Sequence, residues 1–256
     1  MKLSIVVPVF NEEVNIAKLH REIVKMCTDA QEEWRPFEWE IIIVDDGSDD
    51  ETPVVCRGLR PLKYVRFSRN YGQTAAMICG IEKSSGDYIA TLDGDGQNDP
   101  ADIPRMLRFL IEKDVDVVCG WRKHRMDKML KRIESNAANH LRQRMVHDGV
   151  HDSGCTLKVF RSECFDGLSL IADQHRFIPA ILKQRGYKIE EMEVNHRKRI
   201  YGRSKYNHKR LYRGIRDLTA ISLENKDSKL GNLFTDKYHR HFGNQTYQIY
   251  EEFDNH

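Results

Sequence analysis

No stretch of this sequence approaches the ~18 consecutive apolar residues that a membrane-spanning helix requires, so the chain is expected to carry no transmembrane segment. No basic-then-apolar leader precedes the first structured run. Met1-Lys2-Leu3-Ser4-Ile5 passes straight into it, and a secretory signal is not expected. None of the six cysteines (Cys27, Cys56, Cys79, Cys119, Cys155 and Cys164) forms a C-x-x-C pair, and several sit in apolar runs. That excludes a disulfide framework or a zinc ribbon and predicts reduced, neutral thiols in a cytosolic protein. The formal charge is only +2, too small a bias to name a partner. No internal repeat is visible. What remains, 40% hydrophobic and 31% charged over 256 residues, suits one large α/β domain or two small ones.

The chain is organised around Leu92-Asp93-Gly94-Asp95-Gly96-Gln97-Asn98-Asp99-Pro100. Residues 88–92 form an apolar, β-rich run that reads as a buried strand, and it breaks into aspartates interleaved with glycines. Clustered carboxylate and amide oxygens at a strand end suit Mg²⁺ or Mn²⁺, shared with substrate phosphates, and glycine lets a ligand approach the backbone. A solvated turn competes with this reading, because Asp, Gly and Asn favour turns. A Ca²⁺ loop of the EF-hand kind does not: counted from Asp93, Asn98 and Pro104 stand where Gly and Glu belong. Asp99 and Pro100 also make a helix start, which excludes neither reading.

Other buried strands are expected over residues 3–9, 41–44, 64–67 and 115–119. Between them, Val14, Ile16, Leu19, Ile23 and Met26 make one helical stripe, with Asn11 as its expected cap. A second helix spans residues 73–83, and Ile103, Met106, Leu107, Leu110 and Ile111 mark a third. Alternating strands and helices predict an open, mostly parallel sheet, which binds ligands beyond the carboxyl ends of its strands. The polar signals fall there: Pro8-Val9-Phe10-Asn11-Glu12, Asp45-Asp46-Gly47-Ser48, and the 93–97 stretch.

The second half is basic. Residues 122–144 carry eight Lys/Arg against Asp127 and Glu134, with an apolar stripe of Met126, Met129, Leu130, Ile133, Ala137 and Leu141. Two readings stay open: a solvated basic face over a core stripe, or a surface for anionic headgroups or phosphate. Strands are expected over 155–160 and 188–194, with a helix over 177–185 between them. A cationic loop follows, His196-Arg197-Lys198-Arg199-Ile200-Tyr201-Gly202-Arg203-Ser204-Lys205-Tyr206, and then a helix marked by Leu211, Ile215, Leu218 and Ile221. Residues 224–256 are polar and show no periodicity.

Four of these stretches together resemble the family 2 glycosyltransferases of the GT-A fold, in the branch acting on polyprenyl phosphates, over residues 3 to about 223. They are Ile5-Val6-Val7-Pro8-Val9-Phe10-Asn11-Glu12, Ile43-Val44-Asp45-Asp46-Gly47-Ser48, Leu92-Asp93-Gly94-Asp95-Gly96-Gln97 and Gly202-Arg203-Ser204-Lys205-Tyr206. The resemblance implies a Rossmann-like α/β fold, with a nucleotide-binding half over 1–120 and an acceptor-binding half over 121–223, and it leaves residues 224–256 as a polar tail of no assigned role. It implies a metal-dependent, inverting transfer of a sugar from a UDP- or GDP-sugar to a lipid phosphate. Pro8, Phe10, Glu12, Asp46, Asp93 and Gly94 would line the nucleotide site. Asp95 and Gln97 would hold Mg²⁺ or Mn²⁺. Arg122, Arg132 and Ser135 would bind the acceptor phosphate, with Arg203 and Lys205 closing over the diphosphate. Asp93, Asp95 and Asp152 would be the catalytic acids. A phosphate monoester, with a second pKa near ~6, is already mostly dianionic at neutral pH, so Asp152 is expected to orient groups rather than take a proton.

Many relatives continue into two transmembrane helices, whereas residues after 223 here resemble nothing in the family. A peripheral enzyme on the cytoplasmic face of a membrane is therefore expected, with a homo-oligomer left open. The competing readings are a glycosyltransferase with a non-lipid acceptor and a truncated, inactive relative that binds membrane surfaces. A sugar nucleotidyltransferase would need a Gly-rich, Arg/Lys-bearing first loop, which is missing. A nucleic-acid binder would need aromatics among the basic residues, and only Trp121 is near, so no nucleic-acid partner is expected.

Overall fold

The computed structural model describes residues 1–34, 37–123, 149–168, 174–198 and 247–255. Their strands form one sheet of eight, in the order β7-β5-β6-β4-β1-β2-β3-β8. The central strands are the apolar runs of the sequence: β1 (Lys2–Val9), β2 (Glu38–Asp45), β3 (Leu62–Phe67) and β4 (Tyr88–Thr91). All four are parallel, with β1 between β2 and β4. β1 and β2, buried along most of their length, carry Val, Ile and Leu with little alternation, whereas β3 interposes the half-buried Lys63 and Arg66.

Helix α1 (Ile16–Glu33) covers one face through Ile16, Leu19, Ile23, Met26 and Cys27. Helix α4 (Ile103–Lys113) joins it there through Ile103, Met106, Leu107 and Leu110. On the opposite face lies α3 (Gln73–Glu82), packed against Val6, Val44 and Val65. Among the described residues two shorter helices complete the set, α2 (Thr52–Arg57) and α5 (Ile178–Gln184). The stripes expected for α1 and α4 hold except at their ends, where Val14 and Ile111 are exposed, while the helices expected from Met126 to Leu141 and from Leu211 to Ile221 lie outside the described residues.

Asn11 does not cap α1. It takes a positive φ of 55° and spans to the next loop: its backbone N–H donates to Ser48 Oγ (2.9 Å), its amide to Asp49 Oδ1 (2.5 Å), and its Oδ1 accepts from Asp49 N (3.0 Å). Asparagine tolerates this left-handed backbone better than most residues, so its short side chain ties two loops together instead of starting a helix.

Beyond β4 the pattern changes direction. β5 (Val117–Trp121) and β7 (Ile189–Glu193) are parallel to each other, but β6 (Lys158–Arg161) runs antiparallel to both β4 and β5. The start of β6 therefore lies at the same sheet edge as the ends of β4 and β5. That reversal brings residues 152–157 to the carboxyl-end rim. β8 (Ile249–Asn255), in the stretch where the sequence shows no periodicity, pairs antiparallel with β3 as an edge strand. All six cysteines are free and buried. Burial pushes the thiols of Cys27 and Cys164 up to about 12 and that of Cys79 to about 11, as expected for inert core residues.

Candidate active site

The first two loops of the rim are locked together. Register places Val9 beside Asp45, and Asp46 N–H donates to the Val9 carbonyl. Gly47 is a glycine of necessity: φ is 73°, and a Cβ would lie 2.4 Å from the Arg69 backbone. Asp45 accepts from Ser48 N–H (2.8 Å) and the Tyr64 hydroxyl (2.7 Å). Asp46, buried, takes the backbone N–H groups of Tyr71 (2.6 Å) and Gly72 (2.9 Å) on its carboxylate. The Asp46 that the sequence assigns to the nucleoside pocket thus also holds the β3–α3 loop in place. Pro8 is buried at the end of β1, while Phe10 and Glu12 are half-buried beyond it. Glu12 accepts from the Asn15 amide (2.7 Å).

The 93–97 turn sits against this pair of loops. A Cβ on Gly94 would meet Val9 Cγ1 at 2.6 Å, so only glycine allows the turn to lie so close to β1. Asp95 Oδ1 accepts from Gln97 N–H (3.0 Å), and Asp99 caps the short 3₁₀ turn Pro100–Asp102 through Ala101 N–H. Asp93 accepts from the Gln73 amide at 2.6 Å. Its pKa is pushed up to about 6, first by its enclosed surroundings and next by the negative charge of Asp95. The Thr156 hydroxyl and the charges of Arg122 and Lys158 oppose that rise.

The 152–157 turn brings the remaining acid. Asp152 is buried and binds Arg122 in a two-bond pair, Nε to Oδ2 at 2.7 Å and Nη2 to Oδ1 at 2.9 Å. Burial disfavours the charge on Arg122, but Cys155, Asp152 and Asp93 around it outweigh that, and its pKa is raised. Glu191 on β7 accepts from the backbone N–H groups of His151 (2.8 Å) and Asp152 (3.2 Å) and pairs with the His151 ring (2.6 Å). Lys158, buried in β6, points its ammonium at the Cys155 and Ser153 carbonyls.

The structure therefore brings Asp93, Asp95, Arg122 and Asp152 to one rim, beside the loops carrying Phe10, Glu12 and Asp46. Arg132, Ser135, Arg203 and Lys205 lie outside the described residues. The sequence reading passed over Gln73, Thr156, Lys158 and Glu191. Gln73, which follows Gly72 at a helix start, had a positional signal; the other three sit within strands or a turn and gave none.

Among the described residues no three His, Cys, Asp or Glu side chains are grouped to hold a metal ion. The chemistry present fits a cation shared with a ligand: two crowded carboxylates, one kept protonated up to about pH 6, beside an amide and an open Gly96.

Residues 4–168 match the family model for glycosyl transferase family 2. The chain is 42% identical to dodecaprenyl-phosphate galacturonate synthase of Rhizobium johnstonii over 86% of its own length. It is 36% identical to undecaprenyl-phosphate 4-deoxy-4-formamido-L-arabinose transferase of Pseudomonas syringae pv. syringae over 84%. It spans 66% and 64% of those two proteins. Among solved structures it is similar to glucosyl-3-phosphoglycerate synthase of Mycobacterium tuberculosis bound to Mn²⁺, uridine diphosphate and glucosyl-3-phosphoglycerate. The TM-score is 0.66 at 17% identity, covering 88% of this chain and 79% of that one.

Proposed function

The chain belongs to glycosyl transferase family 2 and has the GT-A fold, and on that premise we propose that it moves a sugar from a nucleotide diphosphate sugar to a polyprenyl phosphate, with inversion and with Mg²⁺ or Mn²⁺. One observation carries the reading. The Asp93–Asp95 pair and the Arg122–Asp152 pair share a rim in a chain 42% identical to a dodecaprenyl-phosphate galacturonate synthase. Asp95 and Gln97 would hold the cation, which supplies charge neutralisation at the leaving diphosphate.

The protein's own groups do the rest. Phe10, Glu12 and the Asp46-braced loops frame the nucleoside. Gln73 fixes the Asp93 carboxylate through its 2.6 Å hydrogen bond. Arg122 stays charged, and its pairing with Asp152 engages Nε and Nη2. The Nη1 edge is left to the acceptor phosphate, with Arg132 and Ser135 in support and Arg203 and Lys205 over the diphosphate. Asp152 is committed to Arg122 and orients it. A dianionic phosphate needs no base to become a nucleophile.

The test is transfer from a panel of labelled nucleotide sugars, including the uronate and amino-pentose classes of the relatives, to a short-chain polyprenyl phosphate in detergent. Lipid-linked product is expected with Mg²⁺ or Mn²⁺. Asp95→Asn should cut turnover about a hundredfold or more, the scale of losing one transition-state contact. Full turnover in excess EDTA would overturn the metal assignment, and transfer only to soluble acceptors would overturn the lipid one.

A further inference from the structure

Arg197 belongs to the cationic stretch 196–206, whose Arg203 and Lys205 are expected to close over the diphosphate, and its own side chain is held by two carboxylates. Its Nη1 donates to Glu22 of α1 at 2.5 Å, and its Nη2 donates to Asp99 at 2.7 Å. Asp99 is the residue that ends the 93–97 turn and caps the following 3₁₀ turn. One guanidinium therefore spans a fixed helix and the far end of the acidic turn.

The backbone of the same residue makes a second connection. Arg197 N–H donates to the Gln97 carbonyl at 2.9 Å, and His196 pairs with Asn98 in an antiparallel bridge. The Gln97 side-chain amide donates back to the Arg197 carbonyl through a long contact of 3.4 Å. That contact uses the amide nitrogen. It therefore decides which end of the Gln97 amide is left over: the oxygen, the end a hard cation takes.

From this we infer that Arg197 is a positioning residue for the cation site, orienting Gln97 through its backbone while its guanidinium fixes the turn to α1. The inference rests on the reading of Asp95 and Gln97 as cation ligands. The Arg197–Glu22 pair lines a cleft between α1 and the turn, with Lys18 and Gly96 beside it, and both pairs are partly exposed. Partly exposed ion pairs add little to stability, so loss of the guanidinium should leave the fold intact and act on the geometry of the turn.

The experiment is calorimetric titration of the full chain with Mn²⁺ alone, set beside the melting temperature in EDTA. Arg197→Met is expected to weaken Mn²⁺ about tenfold, or about 1.4 kcal/mol, with the EDTA melting temperature unchanged. Glu22→Gln keeps the Asp99 arm and should give a smaller loss, and it serves as the readout if Arg197→Met does not fold. Unchanged Mn²⁺ affinity in whichever variant folds would overturn the inference. So would a fall in affinity that only accompanies a fall in metal-free stability. Asp95→Asn separates the two levels. If it binds Mn²⁺ as wild type does, the cation site itself is misassigned. If it loses Mn²⁺ while Arg197→Met does not, only the positioning role fails.

Discussion

Asp93 shows what a single residue in this rim contributes. Its carboxyl, held near 6 by its enclosure and the charge of Asp95, keeps its proton in the folded protein over a range where an unfolded aspartate has lost it. The folded state therefore binds the extra proton between about pH 4 and pH 6, and that contribution to stability fades as pH rises through 6. A divalent cation favours the ionised form, so its benefit moves the opposite way. The rise in melting temperature on adding Mn²⁺ is predicted to grow from pH 5 to pH 7 in the wild type and to be much flatter in Asp93→Asn. A thermal-shift series at three pH values checks this. An equal Mn²⁺ shift at pH 5 and pH 7 in the wild type would refute it.

At the level of elements, the strands legible in advance were those buried on both faces. Residues 3–9 are Leu, Ile and Val interrupted only by Ser4 and Pro8, residues 41–44 are Ile and Val throughout, and no other element accommodates them so simply. The acids that end such runs stand out in the same way, and the structure places Asp46, Asp93 and Asp95 at the carboxyl-end rim of the sheet. Direction was not legible: nothing in Lys158–Arg161 says that it runs against its neighbours, yet that reversal carries Asp152 to Arg122. Nor was β8, because an edge strand with one wet face needs few apolar residues. Phe253 supplies the contact that matters, packing on Tyr64 with ring centroids 4.9 Å apart. Tyr64 in turn donates to Asp45, next to Asp46, so β8 braces the loop after β2 from outside. Phe253→Ala is predicted to cost about 2 kcal/mol, below the range for a fully buried ring, whereas Tyr250→Ala, at an exposed position, should change stability by no more than about 0.5 kcal/mol. Urea unfolding of the two variants distinguishes a packed brace from a loosely attached strand.

For the whole molecule, the question is how a chain with this fold would reach the polyprenyl phosphate proposed as its acceptor. Among the described residues no helix is long and apolar enough to cross one. The overall charge of +2 is too small to draw the protein to an anionic surface. A local source of attraction is needed, and residues 122–144 hold eight Lys/Arg with a spaced apolar stripe, adjoining the Arg122 proposed to meet the acceptor phosphate. Each such cation near a negatively charged surface contributes about 1 kcal/mol, fading beyond a Debye length of about 8 Å at physiological salt. The protein is therefore predicted to pellet with vesicles containing phosphatidylglycerol, to stay in solution with phosphatidylcholine alone, and to be released by about 1 M salt. Charge reversal at Lys128 and Lys131, which have no assigned role in the chemistry, should weaken pelleting while leaving Mn²⁺ affinity unchanged. Pelleting that survives high salt would mean that apolar insertion, rather than charge, holds the protein. No pelleting with either vesicle would overturn the peripheral proposal and leave the basic segment as a solvated face of the protein.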